Sequence, residues 1–112
     1  MKRPRPGPAL VRLVEASALL RETALADVSR AARACAESRA QLSALAAPPV
    51  PPELPPAVAA EVTLRYQRWA DQRRAALNLQ LARQTAEWLE ARRRAARVLG
   101  RDEALRRLRD MG

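Results

Sequence analysis

The sequence contains no histidine, and its 112 residues include a single cysteine, Cys35. A zinc site built from cysteine and histidine ligands cannot be assembled within one such chain, and a nucleophile activated by histidine is excluded as well. A single cysteine also rules out an intramolecular disulfide. We therefore predict a protein that is not an enzyme and that holds neither a metal nor a cofactor.

Phenylalanine and isoleucine are also absent, and the only aromatic residues are Tyr66, Trp69 and Trp88. β-branched residues are few, so a sheet would be hard to build from this composition. Alanine, leucine, arginine, glutamate and glutamine dominate instead, and these are strong helix formers. A composition of this kind is typical of long helices and coiled coils.

Long hydrophobic runs are missing too. Arg12, Glu15 and Arg21 interrupt the apolar residues that follow the basic N-terminal segment, so a signal peptide is not expected. The charge-free stretches are shorter than the roughly 20 residues that a membrane-spanning helix needs. We expect a cytoplasmic protein that does not insert into a membrane.

The nine prolines lie in two clusters, one near the N-terminus and one between residues 48 and 56. Each cluster must interrupt a helix, because proline lacks the backbone donor and clashes with the preceding turn. We predict a flexible basic tail (1–8), a first helix (9–47), a stiff, extended, proline-rich hinge (48–56) and a second helix (57–112) with a possible break at Gly100. The predicted fold is all-α, an antiparallel coiled-coil hairpin of two long helices.

The first helix has a heptad-like seam in which small residues occupy the middle. Its members are Leu10, Leu13, Ser17, Leu20, Ala24, Val28, Ala31, Cys35, Ser38, Leu42 and Leu45. The spacing alternates between three and four residues, with one stutter between Ala24 and Val28. Cys35 falls within the seam, where we expect it to pack as a small buried hydrophobic residue.

The second helix has a less regular seam, whose spacing is close to an eleven-residue repeat. Its members are Val58, Val62, Tyr66, Trp69, Arg73, Leu77, Gln80, Gln84, Trp88, Ala91, Ala95 and Leu99. Its exact register is open, since Leu79 and Leu81 lie beside it. Trp88 is expected to pack against the first helix. Trp69 could either pack there or stand exposed as an anchor for a partner, as tryptophan often does in interfaces.

Basic residues outnumber acidic ones by 21 to 12, and the excess is greater in the second half, where 13 basic residues face 7 acidic ones. Arg93, Arg97 and Arg101 follow one another at single-turn spacing and form a stripe. The stripe could be a solvated helix surface, a docking face for an acidic protein, or a contact for a phosphate backbone. No nucleic-acid-binding motif accompanies it.

Residues 62–109 resemble the C-terminal helix of FliJ-type proteins of flagellar type III export, which combine a tryptophan-containing, Arg/Glu-rich stretch with a basic segment like "EALRRL", Glu103 to Leu108. The resemblance implies a cytoplasmic stalk and chaperone component that contacts the export ATPase ring and the export gate, peripheral to the inner membrane. By position, it assigns partner contacts to Trp88, Arg92, Arg93, Arg97 and Arg101.

We therefore expect a stalk or adaptor of flagellar export, with candidate partner-binding residues Tyr66, Trp69, Trp88, Arg92, Arg93, Arg97 and Arg101. A generic hairpin adaptor, which associates with itself or pairs with another helical protein, is the first alternative. A small basic protein associated with nucleic acid is the second, and the lack of a base-stacking aromatic platform disfavours it.

Overall fold

A computed structural model describes residues 5–45 and 51–111 and confirms the all-α hairpin. Helix α1 spans Pro8–Ala44 and helix α2 spans Pro56–Met111. Their contacts run in opposite directions along the two helices. Ser38 bonds to Gln84, whereas Gln41, further along α1, bonds to Arg73, which comes earlier in α2. This order of contacts makes the pair antiparallel.

Proline begins both helices. The carbonyl of Gly7 accepts a hydrogen bond from Val11 N at 3.2 Å, and the carbonyl of Pro55 accepts one from Ala59 N at 2.9 Å. Pro8 and Pro56 therefore occupy first helical positions, where the missing N–H costs nothing and the fixed φ angle suits the helix. The predicted start of α1 is correct to within one residue.

The segment between the helices differs from the expected extended hinge. Helix α1 ends at Ala44, short of the predicted Ala47, and residues 46–50 lie outside the described part of the chain. In the described part, the chain turns, and Leu54 N donates to the carbonyl of Pro51 at 3.4 Å. Pro52 sits at the second position of this turn, where its fixed φ favours a bend over an extended strand.

Helix α2 is continuous through Gly100, so the possible break there does not occur. Gly100 is exposed, and a Cβ atom built on it meets nothing within 4 Å. The residue therefore pays the conformational cost of glycine within a helix and gains no packing advantage from it.

We expect Gly100→Ala to raise the free energy of unfolding by about 0.5–1 kcal/mol, because alanine restricts the unfolded chain and fits the helix without strain. Urea unfolding followed by circular dichroism at 222 nm measures the change. A loss of stability would mean that the backbone at this position is not helical in solution.

The chain divides into two compact units, each made from a part of both helices. The first unit contains Met1–Ala32 and Ala86–Gly112, and its buried apolar residues are Val14, Ala24, Ala91 and Ala95. The second unit contains Arg33–Thr85, in which Leu45, Ala70 and Leu77 form a cluster, with Leu42 and Tyr66 packed against it. Cys35 is buried in the second unit, as predicted.

The buried seam of α1 differs from the predicted one at two positions. Leu13 and Leu20 are 54% and 61% exposed, whereas Val14 is buried and Arg21 is half-buried. With these two replacements the spacing alternates strictly between four and three residues from Leu10 to Leu45, and the predicted stutter disappears. An unbroken heptad repeat keeps each of these side chains on the face that pairs with α2.

The buried seam of α2 differs from the predicted seam at three positions in its first part, each by one residue. Val58, Val62 and Trp69 are exposed, and the neighbouring Ala59, Thr63 and Ala70 are half-buried or buried in their place. From Trp88 onward, the inward positions are Ala91, Ala95, Val98, Asp102, Leu105 and Arg109, at heptad spacing. The predicted eleven-residue repeat is therefore wrong, because its apolar members came from two different faces of the helix.

Candidate functional site

The predicted partner-binding residues separate into two groups, one in each unit. Tyr66 and Trp69 belong to the second unit, whereas Trp88 and the four arginines belong to the first. Each group is described by itself below.

Tyr66 and Trp69 are one turn apart on α2 and contact each other, with ring centroids 5.7 Å apart and planes tilted by 50°. Tyr66 is half-buried against the cluster around Leu77, whereas Trp69 is 54% exposed. The tyrosine thus fixes one side of an indole whose other side is open to solvent. Between the two readings of Trp69, packed or exposed, the structure decides for exposed.

Polar side chains join the helices of the second unit. The hydroxyl of Ser38, which is buried, donates to Oε1 of Gln84 at 2.6 Å and accepts from Nε2 of Gln80 at 3.2 Å. Nη2 of Arg73 donates to Oε1 of Gln41 at 3.2 Å. Because buried polar groups are costly when unpaired, these bonds favour one register of the two helices over its neighbours.

Trp88 lies half-buried in the first unit, and the guanidinium carbon of Arg92 stands 4.8 Å above the centre of its ring. This is a cation–π contact, which is worth about 0.5–1 kcal/mol at an exposed site. The ring of Trp88 therefore holds one of the candidate arginines in place.

Arg92, Arg93, Arg97 and Arg101 are all exposed, and we call them the arginine face. Oε2 of Glu90 lies 3.6 Å from Nη1 of Arg93, and its Oε1 lies 3.7 Å from Nη2 of Arg97. One carboxylate is therefore shared between two guanidinium groups. Exposed pairs of this kind stabilise a helix only slightly. The arrangement leaves positive charge available for carboxylates on another molecule.

Sequence reasoning missed the buried charged site of the first unit. Asp102 is only 3% exposed, and its Oδ2 lies 3.0 Å from Nε of Arg106 and 3.8 Å from Nη1 of Arg21, on the opposite helix. Among the described residues, neither Asp102 Oδ1 nor Arg21 Nε has a hydrogen-bond partner. Strict alternation of four- and three-residue steps from Ser17 to Ala24 places Arg21 on the seam, whereas following the more apolar residue places Leu20 there.

An open cleft of about 240 Å³ adjoins this site and is lined by Arg21, Leu99, Asp102, Glu103 and Arg106. An arginine pairs with each of the two carboxylates of this cleft. Arg106 pairs with Asp102, and Nη2 of Arg107 donates to Oε1 of Glu103 at 2.6 Å. The Oδ1 atom of Asp102 is buried, so a molecule in the cleft does not reach it without movement of the protein. We therefore interpret the pair of Arg21 and Asp102 as a link between α1 and α2 and not as a ligand-binding site.

Comparison with protein-family models, curated proteins and solved structures gives no significant match for this chain. Within the described residues, neither helix has a stretch that is long and apolar enough to cross a membrane.

Proposed function

We propose that this protein is a non-enzymatic helical-hairpin adaptor that acts by docking onto another protein, as a stalk component of flagellar type III export. In this role it would contact the export ATPase ring and the export gate. The export setting comes from the sequence resemblance of residues 62–109. The docking role is supported by the surface of the hairpin.

The distribution of large apolar side chains carries the proposal. Among the described residues, those that are exposed are Val11, Leu13, Leu19, Leu20, Leu25, Val58, Val62, Leu64, Trp69, Leu79, Leu89, Leu108 and Met111. Those that are buried are Val14, Leu45 and Leu77, with alanines and Cys35 filling the remaining apolar positions. A pair of helices with so small a core gains stability by covering its outer apolar surface with a partner.

The arginine face suggests the charge of the partner. Four exposed guanidinium groups along α2 would attract an acidic surface and orient it before contact, and this attraction weakens as the salt concentration rises. A partner that offers carboxylates at helical spacing would pair with Arg93, Arg97 and Arg101. The contact would be a protein–protein interface that requires no catalytic group.

We expect the triple change Arg93→Glu, Arg97→Glu and Arg101→Glu to weaken binding to the purified export ATPase by at least tenfold, because each reversal turns attraction into repulsion. The measurement is biolayer interferometry with the ATPase of the same organism. All three side chains are exposed, so we expect the helical content to be unchanged.

The control is Arg12→Glu, Arg33→Glu and Arg39→Glu, which changes the net charge equally at exposed positions of α1. It should bind nearly as well as the unmodified chain. Equal losses for both variants would indicate a general charge effect, and full retention by the first would remove the arginine face from the interface. No binding by the unmodified chain would contradict the export role.

Self-association is the second candidate function, and the same exposed apolar side chains favour it. Sedimentation equilibrium over a hundredfold range of concentration distinguishes a lone hairpin from a four-helix dimer.

A nucleic-acid role predicts a gel shift with a steep dependence on salt.

A further inference from the structure

Helix α2 carries a second heptad seam, one residue before the buried one, on a face that solvent reaches. In the second unit its members are Val58, Val62, Arg65, Trp69, Gln72, Ala76 and Leu79, and we call them the outer seam. The steps between them are four, three, four, three, four and three. Every member is exposed, and the apolar ones include Trp69 at 54% and Leu79 at 64%.

The outer seam carries larger apolar side chains than most positions of the seam that pairs with α1. Over the same stretch the inner positions are Ala59, Thr63, Tyr66, Ala70, Arg73, Leu77 and Gln80. Alternating spacing of three and four is the pattern by which one helix packs along another. A helix with two such seams can therefore pack against two helices at once, and the hairpin supplies only one of them.

We propose that the outer seam is the docking site for an acidic amphipathic helix of another protein. This inference rests on the docking role proposed above and names the surface and the partner chemistry. The helix would place small or apolar residues against Val62, Trp69 and Leu79, with Trp69 as the central anchor, as in other helix-in-groove complexes.

The charges around the outer seam determine the sign of the partner. Arg65 lies in the seam and Arg68 lies beside it, and both are exposed. The two acids of this stretch already have cations, since Glu61 is 2.9 Å from Arg65 and Asp71 is 2.8 Å from Arg74. A docked helix must therefore bring its own carboxylates.

The same charges argue against a second copy of this chain as the occupant. Two copies joined through the outer seam would bring their arginines together, and like charges at this spacing repel. The excess of 21 basic over 12 acidic residues adds a general repulsion between copies. A foreign acidic helix gains from each of these groups.

The test uses a labelled synthetic peptide of about four heptads, with leucine and alanine in the seam and glutamate on both flanks, and measures its binding to the full chain by fluorescence anisotropy. We expect micromolar or tighter binding, weakened at least tenfold by Trp69→Ala. Leu64→Ala is the matched control, because Leu64 is 49% exposed but lies off the outer seam; it should leave binding within twofold.

A second peptide with lysine in place of every glutamate tests the charge. It should bind at least tenfold more weakly, and Arg65→Glu with Arg68→Glu should reverse the preference. Each of the following peptide results would overturn the inference: equal binding of both peptides, equal losses of affinity from Trp69→Ala and Leu64→Ala, or no binding. A dimer of the chain alone that dissociates on Trp69→Ala would also overturn it, in favour of a second copy.

These results are separable from those for the export role. If the export ATPase does not bind but the glutamate peptide binds through Trp69, the export role fails and the outer seam stands. If the ATPase binds through the arginine face and neither peptide binds, the export role stands and the outer seam fails.

Discussion

Leu77→Ala should lower the free energy of unfolding by about 2–5 kcal/mol, the range for truncation of a buried leucine that leaves a cavity. Leu77 is 1% exposed and packs with Leu45 and Ala70, with Leu42 and Tyr66 against this cluster. Because Cys35 and Ala70 are small, Leu77 and Leu45 provide most of the fully buried apolar surface among the described residues of the second unit. Chemical denaturation followed by circular dichroism measures the loss.

Leu79→Ala provides the matched control for this experiment. The residue type is the same and the position is two residues along, but Leu79 is 64% exposed on another face of α2. Its replacement should change stability by no more than about 0.5 kcal/mol, since surface substitutions rarely do more. If the two variants lost equal stability, the pairing face of α2 in solution would not be the one described here.

Arg21→Leu alone should destabilise the hairpin by about 1–3 kcal/mol, because it removes the cross-helix cation and leaves the buried Asp102 with Arg106 as the one cation beside it among the described residues. Adding Asp102→Leu should instead make the chain more stable than the unmodified one. The double variant replaces an ion pair on the seam, in which Asp102 is buried but the Arg21 side chain is 43% exposed, with two apolar side chains. We therefore expect a gain of about 1 kcal/mol, at the low end of the range of about 1–4 kcal/mol for a fully buried pair. Thermal and urea unfolding of the single and double variants complete a mutant cycle.

The single and double variants are expected to change the free energy of unfolding in opposite directions, so the cycle tests whether Asp102 is buried in solution. Asp102 Oδ1 has no hydrogen-bond partner among the described residues, so the pair is imperfectly satisfied and its replacement gains more than a perfect pair would allow. Glu103→Ala serves as a control, because Glu103 is exposed and its loss should be nearly neutral. If Arg21→Leu alone stabilised the chain as much as the double variant, Asp102 would not be buried in solution.

The sequence predicts the fold class and the helix starts well, because these depend on local chemistry. Nine prolines in two clusters leave room for two helices and little else, and Pro8 and Pro56 begin them as proline prefers to do. The burial of Cys35 is also local in origin, since small residues surround it on both sides of its seam. Each of these predictions is confirmed.

The sequence predicts the face of each helix less well, because a rule that follows the most apolar residue selects the wrong one. Leu13, Leu20, Val58, Val62 and Trp69 are each more apolar than the residue that the hairpin buries beside them. The pairing face is instead set by an unbroken heptad in α1 and by cross-helix contacts of Ser38 and Asp102, which no count of apolar residues detects.

The exposure of some candidate binding residues could be predicted from the sequence, whereas that of Trp69 could not. The exposure of Arg92, Arg93, Arg97 and Arg101 could be foreseen from their charge, because a guanidinium is rarely buried without a partner. Trp69 could not be assigned, since an indole is large enough to fill a core and amphipathic enough to anchor a partner. Its position beside Ala70, which takes the inward place, decided the question.

The sequence by itself determined that this protein is two helices separated by a proline-rich segment and that it carries an excess of arginine. Local backbone chemistry is enough for that, because proline, alanine and leucine act within a few residues of themselves. Only the tertiary structure decided which stripe of each helix is covered, because two stripes one residue apart compete for the same partner. It also brought Arg21 to Asp102, since residues far apart in sequence meet only when the helices pair.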